Sequence, residues 1–111
     1  MSAIDFLIER LNSFSRAFPE LIIRLEVSGV HAEFLIEISP SGEYKRNLTA
    51  KDLANLLFLD FRNEFPGKSI VFISPENFIK IETVAYEWNN GEMMTLKEWS
   101  INVPQSSINI R

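Results

Sequence analysis

Two amphipathic patterns alternate along this chain. From Ser2 to Phe18, apolar Ile4, Leu7, Ile8, Leu11, Phe14 and Phe18 recur at helical spacing, while Asp5, Glu9, Asn12, Ser13 and Arg16 turn away. Ser2 with Asp5 three residues on resembles a capping box, and Pro19 stops the helix. Phe6 falls off the stripe and reads as rim packing. The period then changes to two. Leu21, Ile23, Leu25 and Val27 alternate with polar residues, as do Ala32, Phe34, Ile36 and Ile38, which predicts a hairpin turning at 28–31. With Gly29 and Val30 at its tip, Val27 pairs with Ala32 and Leu25 with Phe34. The other face then carries Glu26 against Glu33, Arg24 against Leu35 and Ile22 against Glu37.

Residues 40–48 keep no period, and Pro40, Gly42 and Asn47 mark them as a loop. Helical spacing returns from Thr49, taken as the cap with Asp52 as its acidic companion, and runs to the stop at Pro66-Gly67. Leu53, Leu57 and Phe61 form one line, and Leu56, Ala54, Phe58 and Phe65 widen it, so the spacing predicts a helix covered on more than one side. Ile70-Val71-Phe72-Ile73 has no polar alternation and predicts a central strand. A short helical turn at 74–77 competes with a plain loop, with Ser74 and Pro75 favouring the turn. An extended stretch from Phe78 to Trp88 follows, then a tight turn at Asn90-Gly91 and a returning strand from Met94 to Val103. Residues 104–111 either add an edge strand through Ile108 and Ile110 or fray.

The order is α-β-β-α-β-β-β. The fold class this predicts is α+β: two helices on one face of a mainly antiparallel sheet of about five strands, in a single domain over 1–111. The composition, 46% apolar and 23% charged, is that of an ordinary globular chain. With no cysteine there is no disulfide or thiol nucleophile, which suits a reducing compartment and points to the cytoplasm. The N-terminal stretch contains Asp5 and Glu9, unlike a signal peptide, and no apolar run is long enough to span a membrane. A net charge of −4 disfavours nucleic acid and anionic membrane and favours a basic partner.

Candidate chemistry is sparse. His31 is the lone histidine and sits in a predicted turn, where a solvated ring is the simpler reading. No metal-ligand spacing, glycine-rich phosphate loop or GxSxG is present, so neither metal nor cofactor is expected. Catalysis by carboxylates alone would rest on Glu26 with Glu33, or on Asp60 with Glu64. Both pairs read more simply as solvated charge.

Two binding surfaces remain. Lys45, Arg46 and Lys51 surround the predicted N-terminus of the second helix and could hold an anion. The second surface is the sheet face away from the helices. If Tyr86 and Trp88 lie there, they join Ile22, Arg24, Glu33, Leu35 and Glu37 as an amphipathic contact face for a basic protein or a second copy. The reading that follows is a non-enzymatic protein–protein interaction module, with a small-ligand or anion binder as the alternative.

Overall fold

The computed structural model describes residues 1–95. Expectations for the strand beyond Thr95 and for the 104–111 tail lie outside the described residues. Eight elements follow in order: α1 (Ala3–Ala17), β1 (Ile22–Val27), β2 (Phe34–Ser39), α2 (Ser41–Arg46), α3 (Leu48–Glu64), β3 (Ile70–Ile73), β4 (Tyr86–Asn89) and β5 (Glu92–Thr95). The fold is α+β, with α1 and α3 packed on one face of a five-stranded sheet in the order β3-β2-β1-β4-β5. Three strand pairs are antiparallel, and β2–β3 is parallel, so the sheet is mixed.

The helix ends follow local rules. Ser2 Oγ accepts the Asp5 N–H at 3.2 Å, and the Phe18 N–H closes the last turn of α1 on Phe14 O at 3.0 Å before Pro19 ends it. At α3 the cap is Asn47, whose Oδ1 accepts the Ala50 N–H at 3.0 Å; Thr49 lies inside the helix. The cap falls earlier than expected because 40–48 is not a plain loop. Ser41–Arg46 forms the short helix α2, and Asn47 serves both as its C-cap and as the N-cap of α3.

The β1–β2 register also differs from expectation. Val27 faces Phe34, Leu25 faces Ile36 and Ile23 faces Ile38, a shift of two residues, with the loop Ser28–Glu33 closed by Ser28 N–H to Glu33 O at 2.7 Å. The two-residue turn on Gly29-Val30 does not form; the left-handed residue is Ser28, at φ 58°, and the connection is longer. A shift of two keeps every side chain on its expected face. It nevertheless separates Glu26 from Glu33, and Glu33 pairs with Lys68 at 3.1 Å.

Among the described residues β3 is an edge strand and not a central one. Its unbroken apolar run arises because Ile70 is buried on the helix side and Ile73 is buried on the other. Between β3 and β4 the chain must pass from one side of β2 and β1 to the other. Residues 74–85 make that crossing on the sheet face opposite the helices. They begin with a turn closed by Asn77 N–H to Ser74 O at 3.0 Å, with no helix, and end where Ala85 N–H meets Leu25 O at 2.8 Å. The β4–β5 hairpin turns at Asn90 and Gly91 as expected, both at positive φ.

The core lies between the helices and the sheet. Leu7, Leu11 and Phe14 of α1 and Ala50, Ala54, Leu57 and Phe61 of α3 meet Leu21, Ile23, Leu25, Phe34, Ile36 and Ile38. Phe6 belongs to this core, its ring 6.1 Å from Phe61 and 5.6 Å from Phe65, because α1 packs against α3 as well as the sheet.

Candidate interaction surface

The sheet face opposite the helices is not the open apolar surface anticipated. Leu35 is fully buried, and Ile22 is partly exposed opposite Ser39. Tyr86 and Trp88 lie on the helix face, since they pair with Leu25 and Ile23. Trp88 is fully buried, and its Nε1–H donates to Asn12 Oδ1 on α1 at 2.6 Å. The extended stretch expected from Phe78 to Trp88 is not one strand: 78–85 is irregular and the strand begins only at Tyr86. Arg24 donates to Glu87 Oε1 at 3.0 Å and lies 3.9 Å from Glu37 Oε1, so the predicted cluster of Arg24, Glu33, Leu35 and Glu37 is divided between an ion-paired rim and a covered apolar residue.

A buried acid holds the crossing segment. Glu26 is 3% exposed, and its Oε2 accepts the N–H groups of Glu82 at 3.0 Å and Thr83 at 2.8 Å. Its Oε1 has no donor among the described residues and would lie 2.4 Å from any Cβ placed at Gly29, so glycine there leaves the carboxylate its space. Glu26→Ala is therefore expected to cost about 1–3 kcal/mol by leaving two amides without their acceptor. Faster hydrogen exchange at Glu82 and Thr83, with unchanged exchange in α1, is the expected readout. Unaltered exchange at both amides would show that the carboxylate does not hold the segment.

The basic cluster is largely engaged. Arg46 pairs with Glu43 at 2.8 Å within α2, and Lys45 lies beside Glu76. The Glu76 carboxyl is held below the ordinary carboxylate range, chiefly by the hydrogen bond from the Ser41 hydroxyl, Oγ to Oε2 at 2.7 Å. Lys51 projects from the first turn of α3, where Asn47 already takes the Ala50 N–H. Within α2, partial burial pushes the Tyr44 hydroxyl above its usual pKa. Among the described residues no group of three metal-ligating side chains comes together. No described helix is long and apolar enough to cross a membrane. His31 is exposed in the β1–β2 loop.

The apolar surface that does stand open is on α3. Its core line is Ala50, Ala54, Leu57 and Phe61, whereas Leu53, Leu56 and Leu59 are 40%, 53% and 56% exposed and Leu48 is exposed at the start of the helix. At 100° per residue Leu48, Leu56 and Leu59 occupy the arc opposite the core line, and Leu53 lies on its flank beside Leu57. Leu53 and Leu56 form one wall of a cleft of about 220 Å³ whose other wall is Ser13 and Phe14 of α1. Arg10 and Asp60, 2.9 Å apart, join the two helices alongside it. Asp52 is exposed on the same arc. The width of the stripe was visible in the sequence, but nothing there distinguished a second covered side from an open one.

Comparison with known proteins returned no match: no family model fits the chain, and no curated protein or solved structure matches it.

Proposed function

We propose that this protein is a non-enzymatic protein–protein interaction module that docks its partner on the α1–α3 face. The observation that carries this reading is the row of exposed leucines, Leu53, Leu56 and Leu59, beside an apolar cleft on a helix whose other side already fills the core. Scattered exposed leucines are ordinary, but a contiguous set beside a cleft is the usual form of a contact surface. Helix-in-groove recognition uses anchors at this spacing. The partner we infer presents apolar anchors within a basic rim, because exposed Asp52 borders the leucines and the chain carries a net −4. The cytoplasm is the compartment that a cysteine-free chain of this kind suits.

Leu56→Asp tests this surface directly. Being exposed, residue 56 tolerates a carboxylate with little change in folding stability, within about 0.5 kcal/mol. A desolvated carboxylate at the centre of an interface is expected to weaken partner binding by at least about tenfold. The measurement is affinity for a stoichiometric partner purified with the wild-type protein, with His31→Asp in the exposed β1–β2 loop as the charge control away from the helix. Equal affinities for wild type and Leu56→Asp would exclude the α1–α3 face.

A further inference from the structure

The open edge of the sheet at β3 carries a separate inference, independent of the leucine surface on α3. In a parallel pair, alternate residues of each strand direct their backbone groups to the neighbour. Phe34 N–H donates to Ser69 O at 3.1 Å, so Ser69, Val71 and Ile73 face β2 and the N–H and C=O groups of Ile70 and Phe72 face outward. Among the described residues no strand lies beyond β3. The edge is also unprotected by the usual devices: Ile70-Val71-Phe72-Ile73 contains no lysine, proline or inward charge.

We propose that β3 is a self-pairing edge, and that a second copy of this chain adds its own β3 antiparallel about a two-fold axis at Val71. The N–H and C=O of Ile70 in each copy then meet those of Phe72 in the other, and Val71 faces Val71. The axis position follows from donors already engaged. An axis at Ile70 sets Phe72 opposite Lys68, whose N–H is held by Phe65 O at 3.1 Å; an axis at Phe72 sets Ile70 opposite Ser74, whose N–H is held by Asn77 Oδ1 at 2.9 Å. Only the axis at Val71 uses donors that are free in the strand register.

The ends of the strand are complementary in charge. Arg62 and Lys68 border a cleft of about 330 Å³ with Pro66 and Gly67 at the start of β3, and exposed Glu76 follows its end. Antiparallel pairing about Val71 lays the end of each β3, which Glu76 follows, beside the start of the other, which the basic cleft borders. Main-chain hydrogen bonds select an extended strand as occupant, and this symmetry of charge selects a second copy.

The expected result is a concentration-dependent dimer in sedimentation or light scattering. Val71→Lys and Val71→Glu each place like charges across the axis and should give folded monomers, while an equal mixture of the two should restore a dimer. Because the chain has no cysteine, Val71→Cys should form a covalent dimer on mild oxidation and Asn63→Cys should not. Leu56→Asp should leave the dimer intact. Circular dichroism and thermal melts check that each variant is folded, and the Val71→Cys crosslink provides a readout that needs no buried charge. A wild-type chain that stays monomeric to about 1 mM, or a dimer that Val71→Lys does not weaken, would overturn the proposal. Failure to crosslink through Val71→Cys where wild type is dimeric would overturn it equally.

Discussion

Phe61→Ala is expected to lower the free energy of unfolding by about 3–5 kcal/mol, the range for removing a large aromatic side chain from a packed interior. Phe61 is fully buried where α1, α3 and β2 converge. Its ring lies 6.1 Å from Phe6, 5.6 Å from Phe34 and 5.3 Å from Phe65. Truncation removes three aromatic contacts at once, each worth about 0.5–1.5 kcal/mol beyond the area it buries. The neighbours are held by two helices and a strand, so they cannot collapse fully into the space. Against a total of about 5–15 kcal/mol for a domain of this kind, the loss is a large share. Denaturant unfolding followed by far-ultraviolet circular dichroism should show the midpoint falling with little change in slope. Leu59→Ala on the exposed side of the same helix should cost under about 0.5 kcal/mol. Similar midpoints for the two variants would contradict the division of α3 into a core side and an exposed side.

Trp88→Ala should be comparably severe, again about 3–5 kcal/mol, because the indole is fully buried between β4 and α1 and supplies a hydrogen bond as well as volume. Its Nε1–H donates to Asn12 Oδ1 at 2.6 Å, and truncation leaves that acceptor without its donor. Trp88→Phe separates the two contributions. It keeps most of the apolar contact and loses the donor, so about 1–3 kcal/mol is expected. If Trp88→Ala left the unfolding midpoint unchanged, the placement of β4 under α1 would be wrong. The same result would reopen the sheet's other face as a site for Trp88.

How much of this was legible from the residues differs from element to element. Local rules were sufficient where neighbours in sequence settle the matter. Ser2 with Asp5, the stops at Pro19 and Pro66-Gly67, and the Asn90-Gly91 turn all formed as the sequence predicts, because a cap or a tight turn is closed by residues three or four apart. The face assignment within β1 and β2 was equally secure, since period-two alternation survives a register shift of two. The register itself was not. It depended on the length of the connection, and the chain used the longer loop closed by Ser28 N–H to Glu33 O.

The candidate surface depended on contacts between distant parts of the chain. An apolar run such as Ile70–Ile73 is the same in a central strand and in an edge strand with both faces covered. Only the tertiary pairing, in which β2 is the one neighbour of β3 among the described residues, identifies the edge. Leu35 is buried although it points away from the helices, on the face that residues 74–85 cross and where Glu26, on the strand beside it, grips their amides. Conversely, α3 has leucines on more sides than one sheet and one helix can cover, so Leu53, Leu56 and Leu59 remain outside. Composition and periodicity determined which segments are amphipathic and how wide each apolar face is, because those properties belong to the segment itself. Which face was covered was decided only by tertiary structure, because burial is a relation between surfaces that the folded chain brings together and periodicity does not encode the neighbour.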